Sequence, residues 1–162
     1  MLPEALQSQT VPAAIEAWDP GAICGGSCDL GETLLWVDPG KIASICEFLN
    51  KQQAFERLSG ITAIDRYPME PRFEVLYLLH SIARNTRLKL KSALPGTDPC
   101  ISSVTSIYAG ANWYERETFD LFGIRFTGHP DLKRIMMPDE WEGHPLRRDF
   151  PVDGHRYGYQ NE

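Results

Sequence analysis

Phe73-Glu74-Val75-Leu76-Tyr77-Leu78-Leu79, followed by Thr86-Arg87-Leu88-Lys89-Leu90-Lys91, decides the fold of this chain. Successive side chains of an extended strand point to opposite faces, so Phe73, Val75, Tyr77 and Leu79 share one face. The other face begins polar at Arg72 and Glu74 and becomes apolar at Leu76 and Leu78, which predicts a central strand. The second stretch alternates strictly. Leu88 and Leu90 face inward while Arg87, Lys89 and Lys91 face solvent, so its wet side is basic.

Working outward, Tyr67-Pro68-Met69-Glu70-Pro71 reads as a turn broken by two prolines, and residues 61–66 before it read as a strand. Asp38 is a good N-cap and Pro39 suits a first helical position. Ile42, Ile45, Phe48 and Leu49 then recur at spacings of three and four, predicting an amphipathic helix to about Gln52. Thr33-Leu34-Leu35-Trp36-Val37 reads as a strand and residues 21–31 as a Gly- and Cys-containing loop. Residues 3–18 give a short helix interrupted by Pro12, leaving residues 1–30 poorly defined.

Downstream, residues 94–99 are loop, and residues 102–122 are helical with a break near Gly110 and a stripe of Ile107, Ala111, Tyr114, Thr118 and Leu121. Gly123 is placed to stop that helix in the left-handed region. A short extended piece, 124–126, leads into residues 128–162, rich in Pro, Gly and Arg and without periodicity. The order predicts an α+β fold: a mixed or antiparallel sheet covered on one side by helices over residues 1–123, with an extended segment over 124–162. So long an aperiodic end is expected to be disordered or held by a partner.

Length fits one domain able to bury a core without disulfides, and 43% hydrophobic with 23% charged residues is an ordinary globular composition. No apolar run approaches the roughly 18 residues needed to cross a bilayer. The N-terminal stretch carries acids where a signal peptide needs a basic region, so a cytosolic or cytosol-facing location is expected. A net charge of −6 without a basic stripe argues against nucleic acid, whose affinity comes mostly from Lys and Arg on phosphates. Cys24 and Cys28 are a close pair, but no second pair completes a four-ligand site; with Cys46 and Cys100 they are expected as free thiols.

The densest chemistry is Trp113-Tyr114-Glu115-Arg116-Glu117-Thr118-Phe119-Asp120-Leu121-Phe122-Gly123-Ile124. On a helix Trp113, Glu117 and Asp120 lie along one side, Arg116 faces Asp120 one turn away, and Glu115 projects elsewhere. Three readings compete: a protein-docking face, a solvated face of ordinary ion pairs, and a general acid/base pair. The last needs buried carboxylates that the pattern alone does not reveal. His129 and His144, each in a Gly-His-Pro element, and His155 lack the spacing of a compact zinc site and read as turn or interface histidines.

From Glu115 through Gly128-His129-Pro130 to Leu132, Arg134 and Ile135, the sequence resembles the signature of the 30 kDa subunit family of proton-pumping NADH:quinone oxidoreductase, respiratory complex I. Glu142-Gly143-His144-Pro145-Leu146-Arg147-Arg148-Asp149-Phe150-Pro151 resembles a second family element, with conservative changes at Arg148 and Phe150. The resemblance implies a non-redox structural subunit of a translocase, with no catalytic, cofactor-binding or metal residues of its own. FMN, iron–sulfur clusters and quinone are then held by partner subunits. Those partners are the 49 kDa subunit, its cluster-bearing neighbour and the ferredoxin-like subunit, lettered D, B and I in bacteria, on the cytoplasmic face of the membrane. The resemblance marks Trp113, Glu115, Arg116, Glu117, Asp120, Phe122, Gly123, Gly128, His129, Pro130, Arg134, His144, Pro145, Arg147, Arg148 and Asp149 as interface residues, and predicts that residues 124–154 lie across the 49 kDa homologue. The alternatives are the homologous subunit of a membrane-bound hydrogenase or of a plastoquinone-reducing complex, and a stand-alone interaction module.

Overall fold

A computed structural model describes residue 6 and residues 9–151. The five-stranded sheet runs β1 (Ile23–Asp29), β2 (Glu32–Val37), β5 (Thr86–Leu94), β4 (Phe73–Ser81), β3 (Arg57–Asp65) in spatial order. Neighbours are antiparallel except β2 and β5, which are parallel, so the sheet is mixed. Helices α1 (Thr10–Trp18), α2 (Ile42–Gln52) and α3 (Ala111–Phe122) complete an α+β fold. A small parallel pair, β6 (Cys100–Ser102) with β7 (Arg125–Thr127), joins the chain on either side of α3.

The decisive alternation holds. Tyr77 of β4 lies opposite Leu90 of β5, and Leu79 opposite Leu88, all on one buried face. Each such side chain contributes about 1.5–3 kcal/mol on burial. The helices bury their apolar residues in the same core: Ile15 from α1, Ile42, Ile45, Phe48 and Leu49 from α2, Ala111 and Phe122 from α3. Asp38 caps as expected, its Oδ1 accepting from the Gly40 N–H at 2.7 Å, with Pro39 opening a 3-10 turn (Pro39–Lys41) that leads into α2. Pro12 falls in the first turn of α1, where its missing N–H costs no helical bond.

Four expectations are corrected. The Gly- and Cys-containing stretch is the edge strand β1 rather than a loop. Its glycines are occupied by neighbours: a Cβ on Gly25 would sit 2.5 Å from Trp36 Cε3, and one on Gly26 2.6 Å from a Leu6 methyl. The strand predicted at 61–66 begins earlier, at Arg57. Helix α3 starts only at Ala111, after turns over residues 103–110, and its buried positions are Ala111, Glu115, Thr118, Asp120 and Phe122, including two carboxylates the apolar stripe had left out. Arg72, read as part of a polar face, is buried.

Candidate functional site

The site grows from the C-terminal end of α3, where the last carbonyls of any helix lack intrahelical partners. Gly123 ends the helix in the left-handed region at φ 74, its N–H donating to Phe119 O at 2.8 Å. Residues 128–151, hereafter the strap, then fold back over that end. His144 Nδ1 lies 2.8 Å from Asp120 O, the Leu146 N–H donates to Leu121 O at 3.0 Å, and Arg147 Nε donates to Phe122 O at 2.6 Å. A carbonyl only accepts, so His144 carries its proton on Nδ1. Burial and the neighbouring arginines lower the His144 pKa, keeping the ring neutral. A Cβ on Gly123 would meet both Arg147 Nη2 and His144 Cδ2 at 2.5 Å, so a glycine there is needed for the close approach as well as for φ.

Asp120 is fully buried and is the hub of the strap. Its Oδ2 accepts the N–H groups of Ile135, Met136 and Met137 at 2.9, 2.8 and 2.9 Å, and Oδ1 pairs with Arg134. Burial alone would raise this carboxyl, but these bonds hold it below the usual carboxylate range. Arg134 reaches on to the carbonyls of Trp141 and Gly143 at 2.9 and 3.1 Å. Arg116 donates to the carbonyls of Lys133 and Arg134, both at 3.1 Å, and its guanidinium lies 5.4 Å from the Trp113 ring centroid. The expected Arg116 to Asp120 pair on the helix surface is thus corrected: each group binds the strap, because Asp120 points into the fold.

A second clamp joins the strap to the sheet. Arg72 is gripped by Asp65 (Nε–Oδ1 2.9 Å, Nη2–Oδ2 2.8 Å) and by Asp149 of the strap (Nη1–Oδ2 3.0 Å, Nη2–Oδ1 2.6 Å). The Arg148 N–H adds a 2.9 Å bond to Asp65 Oδ2. Burial works to raise the Asp65 carboxyl, but the bonds from Arg72 and two backbone N–H groups outweigh it and bring it to about 2. The guanidinium groups of Arg72 and Arg147 lie 4.9 and 5.3 Å from the Phe73 ring centroid, a cation–π arrangement.

Glu115 is the exception. Wholly buried, it accepts from Ser103 Oγ at 2.6 Å and the Val104 N–H at 2.7 Å, with no cation beside it, and burial pushes it up to about 7. It ties the 103–104 turn to α3.

Of the residues marked in the sequence, Arg116, Asp120, Gly123, Arg134, His144, Arg147 and Asp149 come together around the strap, and Arg148 joins through its backbone. His129 is held locally, Nδ1 accepting from the Asp131 N–H at 3.0 Å, while Nε2 lies 3.3 Å from Asn112 O. Trp113 (60% exposed) and Glu117 face outward with Met136 (61%) and Leu146 (52%). His155 and the rest of residues 152–162 lie outside the described residues. The sequence reading missed Asp65 and Arg72. A signal existed: Asp65 has the same strand parity as buried Ile61 and Ala63, and an acid on a core face calls for a partner.

Described intramolecular bonds tie residues 128–151 to α3 and to β3.

This framework matches known proteins. Residues 35–156 fit the family described as respiratory-chain NADH dehydrogenase, 30 Kd subunit. An NADH-quinone oxidoreductase subunit of Roseiflexus castenholzii is 43% identical over 150 residues, covering 91% of this chain and 86% of its own, and its namesake in Geobacter sulfurreducens is 44% identical over 125 residues, covering 76% and 77%. Among solved structures, a trypsin-resistant fragment of Nqo5 aligns at a TM-score of 0.59 with 30% identity, covering 75% of this chain and 97% of the fragment. An archaeal membrane-bound sulfane sulfur reductase aligns at 0.76 with 26% identity, covering 88% and 84%. The chain therefore belongs to the 30 kDa subunit family of respiratory-chain NADH dehydrogenase, together with these NADH-quinone oxidoreductase subunits.

Proposed function

We propose that this chain is a non-redox structural subunit in the peripheral arm of a proton-translocating NADH:quinone oxidoreductase, on the cytoplasmic face of the membrane, and that its strap docks on the quinone-site neighbours: the homologues of the 49 kDa subunit, its cluster-bearing neighbour and the ferredoxin-like subunit. FMN, iron–sulfur clusters and quinone belong to partner subunits in this reading. The observation that carries it is how the strap is used. Its ionic and backbone groups are turned inward to Asp120, Arg72 and the end of α3, which leaves an ordered surface bearing exposed Met136 and Leu146, with Trp113 joined to it through Arg116. Exposed apolar residues on a firmly held segment are available to a partner, which supports this reading. The site's carboxylates are engaged in shaping that surface: Asp120 accepts four donors and Asp65 accepts from Arg72, Tyr67 and Arg148, so the roles they fill are those of anchors.

Purification of the tagged chain in mild detergent, followed by crosslink mapping, tests this. A quinone-reductase arm should accompany the chain, with crosslinks from residues 124–154 to the 49 kDa homologue. A chain that emerges alone, is coloured by itself, or oxidises NADH unaided overturns it. A second reading, a subunit of a related respiratory membrane complex, is favoured by the likeness to the sulfane sulfur reductase. Nickel-site or quinone-site motifs in the co-purifying large subunit separate the two.

A further inference from the structure

The buried faces of the strands and of all three helices meet in one core, so the opposite face of the sheet carries the half-buried and exposed positions. On that open face an apolar column runs down each side of β5: Leu34 and Trp36 on β2, Leu76 and Leu78 on β4. Lys89 and Lys91 lie between them, in the registers Leu34–Lys89–Leu78 and Trp36–Lys91–Leu76. Trp36 is 46% exposed and held in place, its ring over the Gly25 backbone and 5.5 Å from the Lys91 ammonium. Beside it is a groove of about 320 Å³ lined by Trp36, Pro39, Glu74, Lys91 and Ala93, wide enough for a large side chain.

The charge of this face is opposite to that of the chain. Arg57, Arg66, Arg87, Lys89 and Lys91 stand against Asp29, Glu32 and Glu74, a net charge of +2 on a protein of −6. Lys89 pairs with Glu32, while Lys91 and Arg66 share Glu74; Arg57 and Arg87 make no ion pair among the described residues.

We propose that this face is a second docking surface, separate from the strap, and that its occupant is an acidic amphipathic helix of another subunit of the complex. The rows Leu34/Leu78 and Trp36/Leu76 are two residues apart along the strands, roughly 6.6 Å, close to the roughly 5.4 Å between successive turns of a helix. One apolar side chain per turn therefore meets one row, a large one fills the groove beside Trp36, and carboxylates flanking that stripe meet Arg87 and Arg57, which share a row through His80. A membrane surface fits less well: two of the acids already neutralise the lysines at the centre, whereas anionic lipid is recognised by dense Lys and Arg clusters. The proposal uses membership in a multi-subunit complex and is independent of where the strap docks.

Hydroxyl-radical footprinting of the isolated full chain and of the assembled complex, with zero-length carbodiimide crosslinking of the complex, tests it. In the complex, oxidation of Trp36, Leu76 and Leu78 should fall several-fold and the Lys89 amine should link to Asp or Glu of a helix in another subunit. The double variant Arg57→Glu/Arg87→Glu, at exposed positions that make no ion pair among the described residues, should weaken those links several-fold while the chain still melts as wild type does. Equal oxidation of Trp36 in both samples overturns the proposal, as do links to a second copy of this chain, or the same protection produced by anionic phospholipid vesicles alone. Failure of the chain to co-purify with any arm instead breaks the functional reading itself.

Discussion

The buried face of β4 and β5 consists of Phe73, Val75, Tyr77, Leu79, Leu88, Leu90 and Leu94, with one serine in each strand. The strap is anchored instead by Asp120, Arg134, Arg116, Arg72, Asp149 and the open carbonyls of α3. Apolar burial is non-directional and scales with area, so the sheet depends on which face a residue takes and little on the exact partner. A buried ionic hub is directional: complete, it specifies one course for a segment that has no periodicity, and losing one member leaves the others unsatisfied. The molecule uses burial to make the platform and charge to lay an irregular segment across it.

Phe73 belongs to both systems, packed in the core and faced by Arg72 and Arg147, so Phe73→Ala should be the most damaging single change. A loss of about 3–5 kcal/mol is expected in urea unfolding, together with faster proteolysis in the strap. Stability loss with an unchanged strap cleavage rate would separate the regions again. Asp120→Ala should cost a similar or slightly smaller amount, about 3–5 kcal/mol, by leaving Arg134 and three N–H groups without their acceptor. Its signature in hydrogen exchange is early opening of residues 133–146, with β4 and β5 protected relative to global unfolding; uniform loss of protection contradicts a local hub.

Two buried carboxylates, Glu115 on α3 and Asp65 under the strap, have opposite pH dependence. Glu115 is raised from 4.5 to about 7, so the folded state binds a proton that the unfolded chain has released; its contribution to stability is greatest below pH 4.5 and falls as pH rises to 7, by roughly 3 kcal/mol. Glu115→Gln should flatten the urea midpoint across that window. Asp65 is lowered from 3.8 to about 2, so its contribution of about 2 kcal/mol is present above pH 3.8 and disappears as pH falls through 2. Asp65→Asn should shrink the acid limb by about that amount, with the part due to Asp120 remaining; an unchanged limb disproves the assignment. The smallest effect belongs to Asp149, 41% exposed and sharing Arg72 with Asp65: Asp149→Ala should cost under about 1 kcal/mol, detectable as a modest rise in strap cleavage.

Reading the residues alone reached the sheet's inside and outside because strand parity is local: the alternation in 86–91 states its buried face without reference to anything distant. The helix stop at Gly123 and the cap at Asp38 were legible for the same reason. β1 was not, since Gly25 and Gly26 lack side chains and owe their place to Trp36, Leu35 and Leu6. The residues of the site were marked by their resemblance to a family pattern, but that resemblance did not give their geometry. Asp120 was placed on the wrong side of its helix because an i to i+4 partner, Arg116, was the only one visible nearby.

What the sequence by itself determined is therefore the α+β class, the buried faces of β4 and β5, the ends of two helices and the family. The parallel pairing of β2 with β5, the sharing of Arg72 between Asp65 and an aspartate 77 positions further on, and the folding of the strap onto the end of α3 were decided by tertiary structure. Periodicity is carried by neighbouring residues and survives inspection of a short window. A charge pair across such a distance leaves no periodic trace, because its partner is chosen by the fold that brings the two groups together.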